Sequence, residues 1–175
     1  NGANGALGTL TTDATGTTTI STDVVNADTL QFNDDVQTTV ATTLSGTTLV
    51  DFAKTVTIGD STLDALTVSG TTANFHGTVN SGATFANNLT VNATNTLFAG
   101  EVGNGTNGAL GTLTTDAAGT TTISTDVVKG DTLQFNDDVQ TTVATTLTGT
   151  TLVDFAKTVT IGDSTLDALT VSGTT

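Results

Sequence analysis

The chain is nearly a duplicate of itself. Residues 1–72 recur as residues 104–175, at an interval of 103 residues, and only five of these 72 positions differ. We therefore interpret residues 1–175 as one continuous segment that holds a complete unit, 1–103, and most of a second unit, 104–175. A fixed period is the signature of a repeat architecture, so this duplication limits the folds that need to be considered.

Each unit also carries a shorter period of about 20 residues. Every Phe begins the pattern Phe-x-x-x-Val or a near variant of it, and Ile replaces Phe in 20-ISTDV and 123-ISTDV. The first Phe residues of the series are 20, 23 and 23 residues apart, and 103 residues divide into five coils of about 20.6 residues. This spacing fits one turn of a parallel β-solenoid, with three short strands and their corners.

The Phe-x-x-x-Val pattern predicts a bend between two faces of such a solenoid. Residues before each Phe alternate as in a strand, and the three residues after it are small or polar, as at a corner exposed to water. Like residues on successive coils would then stack ~4.8 Å apart inside the tube. The predicted ladder consists of Ile20, Phe32, Phe52, Phe75, Phe98, Ile123, Phe135 and Phe155.

This register also predicts ion pairs between coils. If the coil at Phe32 lies beside the coil at Phe52, Asp34 falls next to Lys54. Asp137 and Lys157 repeat the arrangement in the second unit. An exposed ion pair contributes about 0.2–1 kcal/mol, so we expect these pairs to fix the register more than the stability.

Composition favours extended structure throughout. Thr, a β-branched residue, occupies 48 positions, and no window has the apolar spacing of an amphipathic helix. The sequence therefore predicts an all-β fold, a parallel β-helix with about 20-residue coils, five per 103-residue repeat. Tandem Ig-like β-sandwiches are the alternative, because a period near 100 residues suits them. The lack of Pro, Trp and Tyr and the 20-residue subperiod count against the sandwiches.

Charge restricts the possible partners. Seventeen acidic residues accompany three lysines and no arginine, which gives a net charge of −14. Nucleic acid and anionic membranes are poor partners, since both require a basic patch. No apolar run approaches the ~20 residues of a membrane span, so we expect no membrane insertion. The chain begins NGANG without Met and reads as a piece of something longer.

Few residues suggest a catalytic, cofactor-binding or metal-binding role. The stretch 103-GNGTNG-108 fits G-x-G-x-x-G, but poor helix-forming residues follow it, so we interpret it as a coil-connecting loop. His76 is the only His and lies at a predicted corner, where a solvated side chain is the simpler interpretation. Acid pairs, Asp34 with Asp35 and Asp60 with Asp64, offer oxygens to Ca²⁺ but lack known calcium-binding spacings. We predict no catalytic, metal-binding or cofactor-binding residues and no enzyme activity.

The residue pattern of the repeat resembles that of a known group of proteins. Segments such as 49-LVDFAKTVTIGDSTLDALTVSG-70 look like the parallel β-solenoid tracts of large bacterial surface and secreted proteins, among them filamentous-haemagglutinin-like adhesins and autotransporter passengers. The resemblance implies an extracellular or cell-surface, elongated, right-handed β-helix. It carries over no binding residues, and the long repeat of 103 residues departs from the pattern.

Three functions follow as hypotheses. The first is a structural part of an extracellular fibre, sheath or matrix, and the second is the stalk of an adhesin with its ligand-binding tip elsewhere. The third is ice binding by Thr-x-Thr arrays, although the triplets 55-TVT-57, 112-TLT-114 and 158-TVT-160 are scattered. Neither end carries a capping pattern, so we expect further repeats or end-to-end stacking of copies, with lateral association as a further option.

Overall fold

The computed structural model describes residues 7–62, 64–82, 85–106, 108–162 and 165–173. These residues form strands, turns and loops and no helix, as the Thr-rich composition predicts. No helix long and apolar enough to cross a membrane is found among them. The strands in chain order are β1 (Leu7–Thr11), β2 (Thr17–Ile20), β3 (Val24–Phe32), β4 (Asp35–Thr38), β5 (Thr42–Phe52), β6 (Val56–Ile58), β7 (Ala65–Phe75), β8 (Val79–Ser81), β9 (Asn88–Phe98), β10 (Leu110–Thr115), β11 (Thr120–Ile123), β12 (Val127–Phe135), β13 (Asp138–Thr141), β14 (Thr145–Phe155), β15 (Val159–Ile161) and β16 (Leu169–Gly173).

All strand pairs of the described residues are parallel, and they form three columns. The first column contains the first halves of β3, β5, β7 and β9, then β10, then the second halves of β12 and β14. The second column contains β1, the second halves of β3, β5, β7 and β9, then β11, β13 and β15. The third contains β2, β4, β6, β8, Val102, the first halves of β12 and β14, and β16.

The fold is therefore a parallel β-solenoid of about eight turns, as predicted. Each long strand belongs to two columns, because it turns a corner in its middle. In β9 this is directly visible: residues 89–91 pair with β10, whereas residues 95–98 pair with β11. The alternative of tandem Ig-like sandwiches is excluded, since a sandwich is made of antiparallel strands.

Successive repeats are rotated about the solenoid axis by one third of a turn. The second column runs from Phe32 through Phe98 and Ile123 to Thr141, five turns later. Phe135, the repeat equivalent of Phe32, lies in the first column. It comes one third of a turn before Thr141 along the chain, because the chain passes from the first column to the second. One 103-residue unit therefore makes four and two-thirds turns, not the five estimated from the mean coil length. At ~4.8 Å per turn, its axial advance is accordingly about 22 Å.

The interior of the tube is a single apolar cluster to which all three columns contribute. Leu44 of the first column, Phe52 of the second and Val56 of the third are all fully buried in it. In strands inside the tube, such as β5 and β6, buried residues alternate with residues that are partly or fully exposed. This alternation is the normal pattern of a strand with one face on a core.

Candidate assembly surfaces

The residues of the predicted ladder lie in all three columns. Phe32, Phe52, Phe75 and Phe98 stack in the second column, with ring centroids 5.2, 5.0 and 5.1 Å apart. Ile123 continues this stack above Phe98. Phe135 and Phe155 form a separate stack, at 5.4 Å, in the first column. The rings change column because the second repeat is rotated by one third of a turn.

Ile20 does not belong to the Phe stack. It ends β2 in the third column, where its neighbour is Thr38 of β4. The Ile-x-x-x-Val variant that begins at Ile20 joins the third column to the first, whereas the patterns that begin at Phe32 and Phe52 join the second column to the third. Different corners of the tube thus share one sequence pattern. The prediction of a single ladder was wrong for Ile20 and also for Phe135 and Phe155.

Asp34 is buried, although the sequence places it at a corner. Its carboxylate accepts hydrogen bonds from the hydroxyl groups of Thr12, at 2.5 Å, and Thr18, at 2.8 Å. These threonines flank the loop between β1 and β2, which folds over the corner and leaves Asp34 3% exposed. The second repeat contains the same arrangement, in which Thr115 and Thr121 donate to Asp137 at 2.6 and 2.7 Å. We call each set of one Asp and two Thr an Asp clamp.

The predicted ion pairs are replaced by other contacts. Lys54 Nζ donates to the carbonyl oxygen of Ala14 at 2.6 Å, and Lys157 Nζ donates to that of Ala117 at 2.5 Å. Each lysine therefore fastens the tip of the loop that covers the Asp clamp. The one contact of acidic with basic side chains between described residues is the hydrogen bond of His76 Nε2 with Asp51 Oδ1, at 3.2 Å.

Two carboxyl groups of the Asp clamps and their loops have shifted pKa values. Burial acts to raise the pKa of Asp34, but the hydrogen bonds from Thr12 and Thr18 and the charge of Lys54 outweigh it and lower the pKa. In the second repeat, burial and the negative charge of Asp137 raise the pKa of Asp116. The Oδ1 atom of Asp116 is shielded from solvent and has no hydrogen-bond partner among the described residues.

The residues weighed for chemistry lie in loops and turns, except Asp35, which begins β4. Residues 103–109 connect Val102 to β10, and the segment that follows the glycines is a strand, so the helix that a dinucleotide site needs does not follow. His76 is exposed at its corner. Asp64 accepts the backbone N–H groups of Asp60 and Ser61, at 3.0 and 2.9 Å, and closes its own turn. Across the described ranges, no group of three or more His, Cys, Asp or Glu gathers as a metal site.

The outer faces carry rows of small polar residues. Four threonines of the first column, one per turn, are direct strand neighbours: Thr43, Thr67, Thr90 and Thr114. Of the three Thr-x-Thr triplets of the sequence, only 112-TLT-114 contributes a residue to this row. They fall on the third, first and second columns, in β6, β10 and β15 respectively. No side of the described tube therefore carries all three triplets.

The described part of the tube has two ends. At one end, β1 and β2 are the first strands of the second and third columns in the described chain, and we call this end the lower rim. The upper rim, at the other end, consists of residues 152–155, β15 and β16. Large apolar side chains are exposed at both rims, among them Leu7, Ile161 and Val171.

The geometry defines a class of protein, a parallel β-solenoid whose repeats add turns to a continuous tube. Comparison with protein-family models, with curated proteins and with solved structures finds no match to this chain.

Proposed function

We propose that this protein is a structural segment of an extracellular fibre, sheath or matrix, built by stacking β-solenoid coils. One observation carries the proposal: the ladders continue across the boundary between the two repeats. There β10 and β11 pair with β9 in parallel, and each of the three columns continues into the second repeat. Repetition therefore adds length to the tube, as in other solenoid arrays, and does not create a second domain.

The rotation between repeats also favours a structural role. A ligand-binding face along the shaft requires the same residues on the same side of every repeat. Here a given side chain moves back by one column from one repeat to the next, as Phe32 in the second column and Phe135 in the first show. The surface of the unit is thus distributed over three sides, which suits a shaft more than a continuous recognition surface.

The stalk of a bacterial adhesin is the alternative, with the same shaft and a tip elsewhere in a longer chain. It is supported by the resemblance to solenoid tracts of bacterial surface proteins. Ice binding is favoured by one observation, the row from Thr43 to Thr114, but the residues two positions after the first three threonines are Ser45, Ser69 and Asn92. A thermal hysteresis assay tests ice binding, and an absence of hysteresis would remove it.

The length of the particle tests the proposed function. A chain lengthened by one complete 103-residue unit should be longer by about 22 Å than the 175-residue chain, at constant cross-section. Small-angle scattering of both chains measures length and cross-section separately. A lengthened chain that grows equally in all directions would contradict the proposal, because it would show that added units fold as separate bodies.

A further inference from the structure

Lys129 differs from the other lysines of the chain because its amine contacts a side-chain carboxamide. The Nζ atom of Lys129 donates a hydrogen bond to Oδ1 of Asn104. Lys54 and Lys157 instead donate to backbone carbonyl oxygens. The nitrogen of the same carboxamide, Nδ2 of Asn104, donates to Oε2 of Glu101 at 2.9 Å. One carboxamide thus has an amine on its oxygen atom and a carboxylate on its nitrogen atom.

The boundary between the two repeats brings these three groups together. Val102 forms a parallel bridge with Val128, and the N–H of Lys129 donates to the carbonyl oxygen of Val102 at 2.8 Å. Gly103 then turns the chain at a φ of 70°, and a Cβ at this position would lie 2.1 Å from the carbonyl oxygen of Lys129. Glycine permits both the positive φ and the close approach. The turn therefore brings Asn104 to the amine of Lys129.

The amine belongs to the second repeat alone. Lys129 replaces Asn26 of the first repeat, and the two residues lie at the same place in the equivalent strands β12 and β3. This strand therefore forms without a lysine. Glu101 is the only Glu of the chain. An amine that the strand does not require thus lies on a carboxamide that also contacts the single Glu.

We propose that Lys129 and Asn104 join covalently in an isopeptide cross-link, and that Glu101 moves a proton in this reaction. The contact supplies what an intramolecular acyl transfer needs, a lysine nucleophile held against the carbonyl group that it attacks. The new bond joins residues 25 positions apart and ties the turn after Val102 to β12. This activity reinforces the tube at the boundary between repeats and goes beyond the proposed structural role of the coils.

The reaction exchanges one amide for another. The Lys129 ammonium gives one proton to water, and the neutral amine attacks Cγ of Asn104, so that the Nζ–Cγ bond forms and Oδ1 takes the negative charge. Nζ and Nδ2 are then bonded to the same carbon, which places the carboxylate on Nδ2 within reach of both. Glu101 accepts a proton from Nζ and donates it to Nδ2. The carbonyl group reforms, the Cγ–Nδ2 bond breaks, and ammonia leaves.

The same carboxamide has a competing reaction. In Asn-Gly sequences the backbone nitrogen of the glycine attacks Cγ of the asparagine, and a cyclic imide forms with loss of ammonia. Here the N–H of Gly105 donates to Oδ1 of Asn80 at 2.8 Å, so this nitrogen is engaged with another turn. The amine of Lys129 is the nucleophile in contact with the carboxamide of Asn104. The geometry therefore favours the cross-link over the imide.

Mass spectrometry of the folded 175-residue chain tests the cross-link. We expect a species that is lighter than the sequence mass by one ammonia. Trypsin cleaves after a free lysine, and the chain has three lysines and no arginine. Digestion should cleave after Lys54 and Lys157 but not after Lys129, because the amine of Lys129 is acylated. Fragmentation of the peptide 55–157 should show a closed loop between positions 104 and 129.

Two variants serve as controls. K129R keeps the positive charge and a trypsin site at position 129 but has no nucleophilic amine, so it should retain the full mass and be cleaved after residue 129. E101Q keeps the size of the side chain and removes the carboxylate, so the cross-link should form at least about 10²-fold more slowly. Circular dichroism checks that both variants fold.

Two results would overturn the cross-link, and a third would overturn the role of Glu101. A folded chain of full mass that trypsin cleaves after Lys129 would show an ordinary hydrogen bond only. A loss of ammonia that persists in K129R would show that Gly105 forms the cyclic imide. Equal rates in E101Q and the unaltered chain would remove Glu101 from the reaction. None of these results affects the proposed function, which the length of the particle tests separately.

Discussion

Two threonines of the core differ in hydrogen bonding, although they are neighbours in the same row. Inward residues of the second column form a mainly aliphatic row: Val50, Ala73, Thr96, Thr121, Val139 and Val159. Thr121 donates its hydroxyl to Asp137. Thr96 is 3% exposed, and its hydroxyl has no partner among the described residues. A buried hydroxyl without a partner costs free energy, whereas a paired one does not.

Replacement of these two threonines by valine is therefore expected to have opposite results. T96V should raise the free energy of unfolding by about 1–3 kcal/mol, since it removes a buried unsatisfied group at nearly constant volume. T121V should lower it by a similar amount, because Asp137 then loses one of its two hydroxyl donors. Denaturant unfolding of both variants measures the two effects, and a loss of stability in T96V would contradict the assignment.

The raised pKa of Asp116 predicts that the free energy of unfolding depends on pH. Its raised pKa means that the folded chain binds this proton more tightly than the unfolded chain does. The ionised carboxylate therefore reduces stability at pH 7, and the penalty disappears as the pH falls through the raised folded pKa and below the unfolded value of about 3.9. D116N should be more stable than the unaltered chain at pH 7 and equally stable at about pH 3.

The matched control for this substitution is D13N. Asp13 is the repeat equivalent of Asp116 but is exposed, and no turn of the described chain lies below the loop that contains it. The hydroxyl of Thr15, which the second repeat replaces by Ala118, donates to Asp13 at 3.4 Å. We expect no gain at pH 7 from D13N. Thermal unfolding across the pH range compares the two variants, and equal responses would show that burial and Asp137 do not act on Asp116.

Among the elements, β5 and β14 differ from their neighbours by one extra residue at the corner. Ala27 and Thr29 of β3 pair with Gly46 and Leu49 of β5, and the register shift is repeated between β12 and β14. The glycine at this bulge is required by space. A Cβ on Gly46 would lie 2.2 Å from the carbonyl oxygen of Leu49, which is backbone and cannot move aside easily.

G46A is expected to destabilise the chain by about 1–3 kcal/mol, the usual range for overpacking in a tight site. G8A is the control, because a Cβ on Gly8 meets nothing within 4 Å and the same residue type is added to a strand. Denaturant unfolding of the two variants measures whether a Cβ at position 46 lowers the free energy of unfolding more than a Cβ at position 8 does. Equal stability of G46A and G8A would show that the corner of β5 relaxes without cost.

The sequence predicts the coil and the Phe-x-x-x-Val corner because both depend on local alternation of apolar and polar residues. Phe52 and Val56 are fully buried on either side of a corner, as the pattern predicts. Burial of Asp34 was not predictable in the same way, since the loop that covers it is supplied by another turn about 20 residues earlier. Its signal in the sequence is the pair of Thr residues around 13-DATG-16, which is common in a Thr-rich chain.

The rotation between repeats could not be read from the mean coil length. It depends on the turn from Phe98 to Ile123, which has 25 residues, and on the turn from Ile123 to Thr141, which has 18. A repeat length fixes the number of turns only when the residues of each corner are known. On the scale of the whole molecule, the result is a tube whose surface returns to the same side after three units, or about 67 Å at ~4.8 Å per turn.

Position along the tube, and not local sequence, determines what each Phe contributes to stability. Phe52 is fully buried and stacks on a ring on each side, whereas its equivalent Phe155 is partly buried and stacks on Phe135 alone. F52A should lower the free energy of unfolding by about 3–5 kcal/mol, the range for a buried Phe. F155A should cost about 1–2 kcal/mol, in proportion to the smaller buried area.

The two Phe substitutions also report on the rim. At a protein concentration where the chain is monomeric, denaturant unfolding should show the difference between F52A and F155A in full. Equal losses of unfolding free energy for F52A and F155A in the monomer would contradict the partial exposure of Phe155 at the upper rim. Two residues with the same local sequence would then have the same surroundings.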